Sequence, residues 1–146
     1  MSWVRVYIHM VFATKNREHF LNSRELREQI FQHIKSHAAE KEIRLDCLNG
    51  SKEHVHCLIS LGKEQSISKV AQLLKGESSF WINKNRLTSN QFSWQDDFWA
   101  VGVSESHIKY VRNYIFNQEE NHQKKSFDDE INEFMGKYGW TLIKTS

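Results

Sequence analysis

No proline occurs anywhere in the 146 residues, and with no low-complexity tract or internal repeat either, the chain has no segment that reads as a linker. Residues 1–146 are therefore expected to form one domain. Cysteine is scarce: Cys47 and Cys57 are the only two, and they flank a predicted turn on strands that could pair. One disulfide is conceivable there, whereas a reducing compartment predicts two buried thiols. Long apolar runs are missing too, none approaching the ~20 residues of a membrane-spanning helix. The start, Met1-Ser2-Trp3-Val4-Arg5, lacks a secretory pattern, so a cytoplasmic protein without a membrane partner is expected. Charge of one sign is likewise absent. Twenty basic against eighteen acidic residues give a net +2 and a pI near 8.5, which permits DNA binding without arguing for it.

What is present is 39% hydrophobic and 26% charged residues, the balance of a soluble globular protein. The length suffices for a core that buries roughly two-thirds of the unfolded surface. Five Trp, nine Phe and four Tyr offer stacking surfaces for unpaired bases, although most belong in a core.

Taken in order, the chain first alternates from Trp3 to Ala13, with Val4, Val6, Ile8, Met10 and Phe12 on one face and Arg5, Tyr7, His9 and Val11 on the other. That predicts a half-buried first strand in which His9 is a hydrogen-bonded strand histidine, a neighbour of the histidine strand described below if the two pair. Lys15-Asn16-Arg17 at its end either hold phosphates or form a solvated loop. Ser23 opens a helix whose Leu26, Ile30, Phe31, Ile34 and Ala38 pack on a sheet. Glu42 to Asn49 predicts a second strand, with Ile43, Leu45 and Cys47 alternating and Asn49-Gly50 as a hairpin turn. Gln65-Ser66 opens a second helix along Ile67, Val70, Ala71 and Leu74. Inside it, Lys75-Gly76-Glu77-Ser78-Ser79 breaks the pattern, and glycine costs a helix about 1 kcal/mol relative to alanine. Either a close approach by a nucleic-acid strand or a plain kink accounts for it. Lys75, Ser78 and Ser79 thus join Lys15 and Arg17 as candidate DNA contacts. Asp96-Asp97 read as turn residues ahead of a fourth strand over Phe98 to Val103. Ser126-Phe127-Asp128-Asp129 resembles a capping box that starts a last helix through Phe134. Strand, helix, strand, strand, helix, strand is the split βαβ order of an α+β, ferredoxin-like antiparallel sheet with helices on one face. A tyrosine-bearing helix is then added after that core.

Two stretches carry chemistry. The first, Glu53-His54-Val55-His56-Cys57-Leu58-Ile59-Ser60-Leu61, alternates as a strand does, and residues two apart on a strand share a face with Cα atoms roughly 6.5–7 Å apart. His54 and His56 therefore point one way, and Val55, Cys57, Ile59 and Leu61 form the apolar opposite face. The second, Tyr114-Ile115-Phe116-Asn117-Gln118, lies in a segment whose Ile108, Val111 and Ile115 are spaced as on a helix, with Ser104 and Ser106 as candidate N-caps. Tyr114 and Gln118, four apart, are neighbours at roughly 6 Å on one helix surface. Tyr110 is a rival nucleophile on that helix but has no such partner.

His-hydrophobic-His on a strand followed by Tyr-x-x-x-Gln on a helix resembles the single-tyrosine transposases of the insertion sequence 200/605 type, members of the HUH endonuclease group. Further matching pieces are Ile8-His9-Met10-Val11-Phe12-Ala13-Thr14-Lys15, Trp94-Gln95 and Glu119-Glu120, so the resemblance spans residues 3–135. It departs where the usual Met-Pro-Asp reads Ser51-Lys52-Glu53 and where the usual His-His reads Asn121-His122. The resemblance implies metal-dependent cleavage and strand transfer of single-stranded DNA through a 5′-phosphotyrosine link to Tyr114. His54, His56 and Gln118 are the implied metal ligands, and hairpin ends the implied DNA. Imidazole ligands alone favour zinc or another transition metal, whereas the family implies Mg²⁺ or Mn²⁺. A homodimer whose subunits share active sites is implied as well, with Gly102 to Ser104 as a hinge for the tyrosine helix. The competing readings are a domesticated nuclease acting on repeated hairpins, a rolling-circle-type nickase, a non-catalytic nucleic-acid-binding module and a small metal-binding protein with Tyr114 in its core.

Overall fold

The computed structural model describes residues 1–118 and 126–138; Glu119-Glu120, Asn121-His122 and Lys124-Lys125 lie outside them. Four strands form one antiparallel sheet: β1 (Val6–Ala13), β2 (Arg44–Gly50), β3 (His54–Leu61) and β4 (Trp99–Val103). Their order across the sheet is β2-β3-β1-β4, the ferredoxin-like arrangement that the split βαβ order predicts. Helices α1 (Arg24–Glu40) and α2 (Ile67–Lys84) cover one face. Helices α3 (Ile108–Phe116) and α4 (Phe127–Tyr138) pack on the other. Among the described residues, no helix is long and apolar enough to cross a membrane.

Strand alternation separates two interiors. Ile8, Met10 and Phe12 of β1 and Val55, Cys57 and Ile59 of β3 meet Ile30, Ile34, Val70 and Leu74 in the main core. Val11, Ala13 and Leu58 point the other way, against α4 or α3. Val4 and Val6, expected on the core face, are each 46% exposed, because they lie where the strand begins. The caps act as their residue types predict: the Ser23 and Ser66 hydroxyls accept from the amides of Leu26 and Lys69.

Three local expectations are corrected. The hairpin turn is Ser51 to Glu53, while Asn49 and Gly50 stay in register opposite His56 and Val55. Glycine is required at 50 because a Cβ there would stand 2.2 Å from the His54 carbonyl oxygen. Cys47 does not continue the Ile43-Leu45 face, since a register irregularity between Leu45 and Cys47 turns it toward Leu58 and α3. The two cysteines thus sit on opposite faces as free thiols, and burial first of all raises both, Cys47 to about 11. Nor do Ser104 and Ser106 cap α3. A single 3-10 turn over Glu105–His107 intervenes, and the hydroxyls reach each other and His107 Nδ1.

Candidate active site

Because β3 gives its apolar residues to the α1/α2 core, His54 and His56 project under α3 and α4, both with 0% of their surface exposed. Their ring centroids are 5.0 Å apart. The apolar stripe Ile108, Val111 and Ile115 seats α3 on the same face, which brings Tyr114 to a ring separation of 5.7 Å from His56. Gln118, also fully buried, follows just past the α3 C-cap, and its Oε1 is 3.1 Å from His54 Nε2. The four residues singled out by pattern therefore meet within one chain.

A fifth residue stands at their centre. Glu130 of α4 accepts a hydrogen bond from the Tyr114 hydroxyl and another, at 3.2 Å, from Gln118 Nε2. Its Oε1 is 3.0 Å from His56 Nε2 and its Oε2 3.5 Å from His54 Nε2. Sequence reasoning missed it. The available signal was its place in the buried stripe of the last helix, three residues after Phe127 and next to Ile131. Phe127 stacks on His54 at 4.3 Å, and Arg17 lies 4.7 Å above Phe127 while pairing with Asp128.

Burial alone would raise the Glu130 carboxyl, yet the His56 hydrogen bond, the charges of His56 and His54 and the Tyr114 hydroxyl outweigh it and hold it at about 2. Glu130 is therefore a carboxylate at neutral pH. Burial, the Glu130 charge and the hydrogen bond to it push the Tyr114 phenol well above its ordinary value of 10. His9, 1% exposed, is pushed well below 6.5 by burial and by the charge on His56, so it stays neutral.

Ligand atoms of His54, His56 and Glu130 lie within 4.8 Å of one another, which suits a metal ion, and among the described residues no other His, Cys, Asp or Glu group does so. Gln118 adds an amide oxygen beside His54. Two imidazoles with two oxygens make a harder donor set than imidazoles alone.

The remaining candidates lie elsewhere. Lys15 is exposed at the end of β1, and Arg17 is held by α4. Lys75 donates to the Asp96 carbonyl at 2.8 Å, in keeping with Asp96-Asp97 as a turn. Ser78 is a correction. It is fully buried, its hydroxyl donates to the Leu74 carbonyl and accepts from Trp94 Nε1, and no DNA strand can reach it. Ser79 bonds back to the Gly76 carbonyl within an uninterrupted α2, and a Cβ at Gly76 would meet nothing. Neither a kink nor a close neighbour within the chain explains that glycine. Tyr110 is 51% exposed.

Comparison with protein-family models matches residues 2–118 to the family described as "Transposase IS200 like". Among solved structures, the chain is similar to a candidate transposase from Deinococcus radiodurans R1, at 21% identity and a TM-score of 0.65, over 80% of this chain and 93% of that one. It is also similar to a REP-associated tyrosine transposase bound to a REP hairpin, at 16% identity and a TM-score of 0.58, over 100% of this chain and 92% of that one. At these identities the two structures speak for the fold. No curated protein matches the sequence.

Proposed function

The chain belongs to the IS200-like transposase family, and from that premise we propose that it cuts and rejoins single-stranded DNA with Tyr114 as nucleophile and a divalent ion, Mg²⁺ or Mn²⁺, held by His54, His56 and Gln118. The observation that carries this reading is the meeting of the Tyr114 hydroxyl, Gln118 and both histidine Nε2 atoms around one carboxylate. A bound divalent ion would neutralise the phosphodiester and orient it.

The chain's own residues do the rest. Tyr114 stays protonated until attack, and Glu130 Oε1, already accepting its hydrogen bond, takes the proton as the phenol oxygen bonds to phosphorus. The bond from phosphorus to the 3′ oxygen breaks, that oxygen takes a proton from water, and Glu130 releases its own to solvent. The 5′-phosphotyrosine link keeps the number of phosphodiester-type bonds constant. A second 3′-hydroxyl can therefore reverse the step at a new place, which is strand transfer. With α4 seated, His54, His56 and Gln118 are fully covered, so admission of DNA requires the Phe127 ring to draw back from His54 while Glu130 stays beside Tyr114.

The hairpin bound to the REP-associated neighbour supports hairpin ends as the DNA. In the proposed homodimer each protomer acts through its own Tyr114, a reading supported by the 5.7 Å ring separation of Tyr114 and His56 within one chain. Mixing His54→Ala with Tyr114→Phe protein tests that point: no cleavage should return, and recovered cleavage would mean shared sites. The reading as a whole is tested by incubating the protein with single-stranded hairpin DNA and Mg²⁺ or Mn²⁺. A covalent protein–DNA band should form, and both chelator and Tyr114→Phe should remove it. A band that survives Tyr114→Phe would contradict the assignment.

A further inference from the structure

Each site histidine turns Nε2 toward Glu130 and Nδ1 away from it, and both outward nitrogens meet a buried partner. His54 Nδ1 lies 2.8 Å from Glu53 Oε1, and Glu53 is 4% exposed. His56 Nδ1 lies 2.8 Å from His9 Nε2. Neither partner is free to wander. The Glu53 carbonyl accepts from the Thr14 amide at 2.8 Å, and its second carboxylate oxygen is 3.4 Å from His19 Nε2. His9 sits on β1, where its neighbour Val11 pairs directly with His56, so His9 is the diagonal cross-strand neighbour of that ring.

We propose that Glu53 and His9 are positioning residues that fix the rings of His54 and His56 with both Nε2 atoms toward the divalent ion. The proposal rests on the metal reading above. An imidazole that binds a cation through Nε2 carries its proton on Nδ1, and that proton needs an acceptor when buried. Glu53 supplies a carboxylate and His9 a neutral ring nitrogen. Without them each ring can rotate, or keep its proton on the nitrogen that should bind. A charged acceptor makes the stronger hydrogen bond, so Glu53 holds its histidine more firmly than His9 does.

Mn²⁺ binding to the full-length, metal-free protein, followed by electron paramagnetic resonance of the free ion, tests this beside activity. Glu53→Leu and His9→Leu should weaken binding about ten- to a hundred-fold, Glu53→Leu more, while Glu53→Gln and His9→Gln, whose amide oxygens can accept the same proton, recover most of it. Thermal midpoints of all four separate lost fold from lost orientation. Nitrogen-15 spectra of the histidines without metal give a second readout. The Nδ1 proton of His54 should persist in the parent and in Glu53→Gln and vanish in Glu53→Leu. Leu variants that bind Mn²⁺ as the parent does, with the His54 proton unmoved, would overturn the proposal. Parent binding that survives His54→Ala would instead overturn the metal reading, leaving the nitrogen spectra to decide whether Glu53 holds the ring.

Discussion

The two faces of the sheet are built from alternate residues of the same strands, yet they are buried by opposite means. On the α1/α2 face, Phe12, Met10, Cys57 and Ile59 pack against helix side chains with no surface exposed, and the interior is held by apolar burial. On the α3/α4 face, His9, His54, His56, Gln118 and Glu130 are buried just as deeply, and there the described hydrogen bonds run from one polar group to the next. Burying such groups is costly unless each finds a partner. The apolar face can lose one member and collapse partly around the gap, whereas removing one polar member leaves its neighbours short of a partner. The first face holds the molecule together, and the second holds a buried polar cluster in place.

Substitutions on each face should separate these roles. The largest effect on stability is expected from Phe12→Ala, which removes a ring packed edge-on against Trp94 at 4.8 Å. Denaturant unfolding should register a loss of about 3–5 kcal/mol, with cleavage per folded molecule unchanged. A matching loss of cleavage would mean that the faces are not separable.

A smaller effect, present near neutral pH and lost in acid, is expected from Glu130→Gln. The carboxyl is depressed from its ordinary 4.5 to about 2 in the folded chain. It therefore adds stability above the unfolded value, and that contribution is lost as pH falls through the folded one. Unfolding of the parent and of Glu130→Gln, compared between pH 6 and pH 2, should give a difference that shrinks toward the acid end. A difference independent of pH would remove the ionised Glu130 from the account.

The same contrast explains what could be read without coordinates. The apolar face was legible because it follows local rules: alternation in β1 and β3, helical spacing in α1 and α2, and serine caps at Ser23 and Ser66. The meeting of His54, His56, Tyr114 and Gln118 was legible because the histidines share one strand two residues apart and Gln118 follows Tyr114 by four residues just beyond the end of α3, with the family pattern supplying the link between strand and helix. What escaped depends on contacts between distant segments. The displacement of Cys47 is set by pairing with β3, the burial of Ser78 by Trp94, and the place of Glu130 by how α4 seats over β1 and Trp99. Gly50 was misread because Asn-Gly is a good turn signal, while the need for glycine came instead from the neighbouring His54 carbonyl.

The most direct measurement is the residue to which DNA becomes attached. Trypsin cuts after Lys109 and Arg112, so Tyr110 falls in the fragment 110–112 and Tyr114 in the fragment that begins at Asn113. After reaction with hairpin DNA and nuclease trimming, mass spectrometry should find the nucleotide on the fragment carrying Tyr114. Attachment to the fragment 110–112, or no attachment to any tyrosine under conditions where DNA is cut, would contradict the account.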